Sequence, residues 1–183
     1  MVSGMKQLEA IQTLREFDQQ RKYVFIKHDL AKLFLNDNAK TLDEGLNRLV
    51  KANLLKRACR GVYVNEYAQC FDSYTIEHIA KALRRNAYNY VSLESALSEY
   101  GLISQIPLDR LTVMTTGRKG IYKTPYGIIE FTHTKRSVIN ILDHIQIVTD
   151  RPLRIATKET ALRDLKRVGR NLHLLQLEDL KHE

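Results

Sequence analysis

The sequence predicts an α+β fold in two domains, on three observations. A leucine stripe at helical spacing in residues 42–50 runs straight into two short β-prone stretches rich in Lys and Arg. The segment EYAQCFD at 66–72 has no periodicity and separates two differently patterned halves. The second half interleaves helical stripes with alternating β-branched and aromatic runs, as an α+β domain with an antiparallel sheet does. The expected domains are residues 1–65 and 72–183.

In the first half, Leu8, Ile11, Leu14 and Phe17 form one face of a helix over 6–20, and Gln19 to Lys22 end it in polar residues. Tyr23 to Ile26 is long enough only for a small strand. Residues 27–35 make a second helix, with Leu30, Leu33 and Phe34 inward, and Asn36-Asp37-Asn38 breaks it. Thr41 and Glu44 match the T-x-x-E capping box that opens a helix, and Leu42, Leu46, Leu49 and Val50 form its apolar stripe. Leu54 to Arg57 and Gly61 to Val64 read as strands turning at Ala58-Cys59-Arg60. Helix, strand, helix, turn, helix and basic hairpin is the order of a winged helix-turn-helix, with residues 23–26 closing a three-stranded sheet against the wing.

Composition points the same way. The 183 residues are 44% hydrophobic and 27% charged, ordinary for a globular chain, and the net charge is +8 with a pI of about 9.5. Basic chains pair with polyanions because neutralised phosphates release condensed counterions. Residues 40–60 alone hold six cations against Asp43 and Glu44, half of the whole excess. Cys59 and Cys70 are too few for a disulfide framework and lack zinc spacing, so free thiols and no metal are expected. The N-terminus lacks a signal-peptide core, and no stretch is apolar enough to span a bilayer. A cytoplasmic location follows as the expectation.

In the second half, residues 73–86 read as a helix with Ile76, Ile79, Ala80 and Leu83 inward. Ser92 is expected to cap a shorter helix that Gly101 ends. Leu111 to Thr115, Ile121 to Lys123 and Ile128 to Thr132 alternate as an antiparallel meander, with a Thr124-Pro125-Tyr126-Gly127 turn of type I character. Residues 145–148 and 153–155 are short extended pieces. Thr157 caps a helix through Val168 that Gly169 stops, and residues 174–181 suit a last short helix.

Three segments of this half are similar to one family in order. Tyr90 to Ile103 (YVSLESALSEYGLI) resembles the SLESAL-x-x-x-G-L-I helix of the AbiEi-type antitoxins. Thr112 to Arg118 (TVMTTGR), followed by Thr124 to Gly127 and Glu130 to His133, resembles its T-G-R, T-P-F/Y-G and E-F-x-H segment. Ile155 to Leu165 (IATKETALRDL) is similar to its A-T-P-E-K-A-L-x-D-L helix, with Lys158-Glu159-Thr160 replacing the usual P-E-K. The resemblance covers roughly residues 5–168 and implies the antitoxin of a toxin–antitoxin pair. Such a protein represses its own operon by binding double-stranded DNA at inverted repeats in its promoter. Its C-terminal domain counters a cognate toxin similar to nucleotidyltransferases, with or without a stable complex.

Within the winged helix, Lys40, Thr41, Asn47, Arg48 and Lys51 lie where a recognition helix meets the major groove. Asn pairs adenine and Arg pairs guanine in bidentate fashion, so Asn47 and Arg48 suit base edges. Lys40 and Thr41 stand by the helix N-terminus, where backbone amides hold phosphate. Lys56, Arg57 and Arg60 on the wing suit phosphates or the minor groove. Asp43 and Glu44 would repel the backbone unless directed at cytosine or a neighbouring Arg. In the second half, the turn bearing Arg118 and Lys119 and the helix edge of Arg163, Lys166, Arg167 and Arg170 are weaker candidates for toxin contact, since both patterns also describe ordinary solvated surface.

No enzyme is expected. No two of the six histidines stand at i, i+4, none sits beside a recognisable nucleophile elbow, and His133 reads as a buried, hydrogen-bonded side chain. No cofactor is implied. Two other readings stay open: a plain winged-helix regulator whose second domain binds a ligand or subunit, and an accessory subunit of a defence or restriction system.

Overall fold

A computed structural model describes residues 7–34, 37–103 and 109–175. The chain is mixed α and β and divides into two compact units, Met1–Thr75 and Ile76–Glu183. Among the described residues no helix is long and apolar enough to cross a membrane.

The first unit contains α1 (Gln7–Gln19), β1 (Val24–Ile26), α2 (Lys27–Leu33), α3 (Ala39–Lys51), β2 (Lys56–Cys59) and β3 (Val62–Val64). The strands form one antiparallel sheet in the order β1-β3-β2. Val62, Tyr63 and Val64 are all buried because β3 has a strand on either side. Ala10 and Leu14 of α1, Leu30 of α2 and Leu42, Leu46 and Leu49 of α3 converge on Phe25, Leu55 and Tyr63. The leucine stripe thus fixes which face of α3 is hidden, and its polar face remains outside.

Two local expectations need correction. Helix α3 starts at Ala39, before Thr41, and is capped by Asn38, whose side-chain oxygen accepts the backbone N–H groups of Lys40 and Thr41, both at 2.9 Å. Asn is among the best N-cap residues, so it displaces the T-x-x-E box three residues on. The hairpin also turns later than expected. Leu54 is half-buried and Leu55 buried against the core, β2 begins only at Lys56, and the reversal falls at Arg60-Gly61, where Gly61 takes φ +77°. A register shift between Arg57 and Cys59 bends β2 locally.

The EYAQCFD segment belongs to this unit. The Asp18 carboxylate accepts the backbone N–H groups of Gln69 and Cys70 at 2.9 and 3.1 Å, which holds its pKa below the usual carboxylate range. The Tyr23 hydroxyl, 2.8 Å from Asp72 and 3.1 Å from Thr75, ties the unit's last residues to the residue just before its first strand.

The second unit contains α4 (Thr75–Leu83), β4 (Asn89–Val91), α5 (Leu93–Glu99), β5 (Arg110–Thr115), β6 (Gly120–Thr124), β7 (Gly127–His133), α6 (Val138–Leu142), β8 (Ile145–Gln146), β9 (Arg154–Ala156), α7 (Lys158–Val168) and a 3₁₀ turn at Leu172–Leu174. Its six strands run β6-β7-β5-β4-β9-β8. The expected antiparallel meander is therefore corrected to a mixed sheet. Of β5, β6 and β7, the last two form a hairpin, and β7 pairs parallel with β5. Chain residues 116–119 carry β6 past the place that β7 occupies, a gap of two strand spacings or about 10 Å that four residues readily bridge. Five of the six β5 residues are buried, as suits a central strand, whereas edge strand β6 has none.

Helix α5 packs on β5 and α7. Thr157 caps α7 by accepting the Thr160 amide at 3.3 Å, and Gly169 at φ +71° ends it, both as expected. Ser92 does not cap α5. Its hydroxyl donates instead to the buried Asp164 carboxylate of α7 at 2.9 Å. The final helix expected over 174–181 lies outside the described residues except at Leu174 and Leu175.

Candidate nucleic-acid interface

The outward face of α3 carries Lys40, Asp43, Glu44, Asn47, Arg48 and Lys51, all exposed, while Thr41 is half-buried. At 1.5 Å rise per residue, Lys40 and Lys51 stand about 16 Å apart along the helix axis. Lys56 and Arg57 on β2 are exposed, as is Arg60 at the tip of the hairpin. Helix and hairpin are held by one core, so the cations on both sit on a common rigid support.

Three residues that the sequence reading did not single out shape this face. Asn38 takes the Lys40 and Thr41 amides, and the Thr41 hydroxyl donates back to the Asn38 carbonyl at 3.0 Å. Those amides are therefore not available to a phosphate, which corrects that part of the expectation; the Lys40 ammonium is unaffected. Lys27 of α2 pairs with Asp43, with oxygens at 2.6 and 2.7 Å, and so offsets one of the two carboxylates that oppose a polyanion. Glu66 holds Lys56 at 3.1 Å, so Lys56 is partly spoken for and Arg57 and Arg60 are the better candidates on the hairpin. The Asn38 role was legible in principle, since a turn cluster before a leucine stripe is itself a cap signal. The Lys27 and Glu66 pairings join positions distant in sequence and left no local trace.

The second-half candidates do not form one cluster. Arg118 and Lys119 are exposed on the turn leading to the edge strand β6, and the Arg118 carbonyl accepts from Arg84 Nε at 3.0 Å. Arg163, Lys166 and Arg167 are exposed on α7, which packs against β9, four strand spacings or about 19 Å across the sheet from β6. Arg170 is not part of that edge. Its guanidinium reaches inward to both Glu94 oxygens at 3.0 and 3.2 Å and to Glu130. His133 is exposed rather than buried, with Nδ1 2.8 Å from the Gly117 carbonyl.

The segments that carry the family resemblance meet in space. Asp164 accepts from Ser92 and from Tyr90 at 3.1 Å, and Arg136 lies 2.9 Å from its other oxygen as an ion contact outside hydrogen-bond alignment. Glu94, from the same segment as Ser92, and Glu130, from the middle one, share Arg170, and Asn171 adds a bond to Glu94 at 2.7 Å. Burial pushes the Glu130 pKa up, but hydrogen bonds from Arg170 and Arg110 outweigh it and hold it below the usual carboxylate range. These groups satisfy one another and read as internal architecture. Burial raises the Cys59 thiol above its ordinary pKa and takes Cys70 to about 11, so both thiols stay protonated at neutral pH.

No family model matches the chain, and no curated protein matches it. Among solved structures, the crystal structure of the RV2827C protein from Mycobacterium tuberculosis is similar at a TM-score of 0.49 and 16% identity, covering 78% of this chain and 50% of that one. The chain thus spans about half the length of that protein.

Proposed function

We propose that the first unit is a winged helix-turn-helix that binds double-stranded DNA, with α3 in the major groove and the β2–β3 hairpin as the wing. One observation carries the reading. The stripe Leu42, Leu46 and Leu49 commits one side of α3 to the core, and the side left outside presents Asn47, Arg48 and Lys51 on the same support as Arg57 and Arg60. Arg48 and Asn47 would read base edges, while Lys40, Lys51, Arg57 and Arg60 would set register through phosphates.

Joined to the resemblance of residues 90–103, 112–133 and 155–165 to AbiEi-type antitoxins, this supports an autorepressing antitoxin of the cytoplasm. The first unit would bind inverted repeats in its own promoter, and the second would counter a nucleotidyltransferase-like toxin. One winged helix reads one half-site, so two copies would occupy a repeat operator. The test has two arms. A mobility-shift titration on the upstream region is expected to give a saturable, sequence-dependent complex. Co-expression with the product of the adjacent gene is expected to restore growth that the product alone arrests. Binding without rescue would leave a plain regulator; no sequence-dependent binding would remove the winged-helix reading.

A further inference from the structure

Strand β6 is an edge of the second unit's sheet, and among the described residues it pairs with β7 alone. Two backbone hydrogen bonds fix which of its groups that pairing leaves over. The Ile128 amide donates to the Asp109 carbonyl at 2.6 Å, and the Thr134 amide to the Thr115 carbonyl at 2.8 Å. Successive residues of a strand bond to opposite sides, so even-numbered residues of β7 turn to β5 and odd-numbered ones to β6. Gly127, Ile129 and Phe131 stand opposite Thr124, Tyr122 and Gly120. Those three residues of β6 are thus committed to β7. The backbone N–H and C=O groups of Ile121 and Lys123 face outward, as pairing groups of an open edge do.

Side chains alternate with the backbone. Tyr122 anchors the strand: its hydroxyl accepts from Arg84 Nη2 at 2.9 Å, and its ring meets that of Phe131 edge to face at 5.8 Å. Ile121, 61% exposed, and Lys123 lie on the opposite side of β6, and both are open to solvent. Lys119, two residues before Ile121, is exposed as well. The edge is therefore formed before a partner arrives, which reduces the ordering cost of binding. A second copy of this chain suits it poorly. An antiparallel pair centred on Ile121 would set Lys119 opposite Lys123 of the second copy, and like charges directly opposite are destabilising. The complement is a strand with acids at those two places and an apolar residue between them.

We propose that β6 takes up an extended acidic segment of another protein as a further, antiparallel strand of the sheet. The backbone of that segment would bond to Ile121 and Lys123. Its carboxylates would face Lys119 and Lys123, and an apolar side chain between them would cover Ile121. The site uses the second unit alone and stands whether or not α3 meets DNA.

The test is fluorescence anisotropy of labelled, end-blocked peptides with the full chain at fixed, low ionic strength. The peptide Ser-Thr-Glu-Thr-Val-Thr-Glu-Thr-Ser is expected to bind saturably. Its counterpart with lysine for glutamate is expected to bind about tenfold or more weaker, as two attractions become repulsions. Lys119→Glu with Lys123→Glu is expected to reverse that preference. N-methylation of the valine and both glutamate amides, which would point at β6, is expected to remove binding. N-methylation of the two threonine amides between them, which would point away, is expected to leave it intact. Circular dichroism confirms that the variant is folded; should it not be, the peptide series on the parent chain decides alone. The proposal is overturned if the acidic peptide does not bind at millimolar concentration, or if the folded variant keeps the parent's preference. It is equally overturned if the two N-methylated forms bind alike, because the edge would then attract polyanions, nucleic acid included, by charge alone.

Discussion

The cations of the two units are used in opposite ways. In the first unit they stand on the outer face of α3 and on the hairpin, with the leucines of the same helix holding them outward. In the second, several arginines point inward. Arg151 grips Glu77 with three hydrogen bonds of 2.6 to 3.0 Å and Glu99 with two more. Arg84 lies over the Tyr122 and Phe131 rings at 5.1 and 4.7 Å. The net charge of +8 counts both kinds alike. The difference teaches that a basic composition says little about partners until the cations that build the fold are set apart from those that face outward.

The largest expected effect tests the inward class. The Arg151 and Glu77 side chains are each only 4% exposed. Arg151→Ala would leave Glu77 buried without its partner, and chemical denaturation is expected to show a loss of about 3–5 kcal/mol. A loss under about 1 kcal/mol would place this pair in the class of exposed ion pairs and erase the contrast. Next comes the outward class. Arg48→Ala with Lys51→Ala is expected to weaken operator binding by about 2–4 kcal/mol in a mobility shift, at about 1–3 kcal/mol for a base contact plus a phosphate contact. Stability should be unchanged, because neither side chain is in the core.

Smaller effects sharpen the picture. Asn38→Ala removes the cap of α3 and is expected to cost about 1 kcal/mol of stability. Lys56→Ala breaks the half-exposed pair with Glu66, and a change within about 1 kcal/mol is expected in stability. Acid titration separates two carboxylates of the second unit. Glu130, held low by Arg170 and Arg110, contributes stability above the ordinary Glu value of about 4.3, lost as pH falls through its lower folded value. Glu77 has its pKa raised by burial in spite of Arg151, so its ionisation disfavours the fold as pH rises from the ordinary value towards the raised one. Glu130→Gln should flatten the loss of stability at low pH seen by circular dichroism; an unaltered profile would assign that loss to other groups.

What could be read in advance followed from local signals. The Leu42, Leu46 and Leu49 stripe, the Thr157 cap and the Gly169 stop each report a preference of the chain within a few residues, and each appears where expected. Pairing is not local. Alternation in residues 111–132 announces strands but cannot say that β7 lies parallel to β5 with β6 outside it. Ser92 looks like a cap by type and position, yet its hydroxyl meets Asp164, a partner 72 residues away that no nearby pattern reveals. The candidate interface was legible as a set of cations after a leucine stripe. The Lys27–Asp43 and Lys56–Glu66 pairings that edit that set were not, since they arise only once α2, α3 and the segment after β3 are brought together.

The central claim is that the outward cations of α3 and the hairpin meet phosphates. The most direct measurement is the salt dependence of operator affinity for the parent and for Arg57→Ala with Arg60→Ala. Each neutralised phosphate adds about 0.9 to the slope of log affinity against log salt, so the double variant is expected to lose about 1.8 from that slope if both residues make such contacts. An identical slope in the two proteins would contradict the account, and would place the phosphates elsewhere on the molecule.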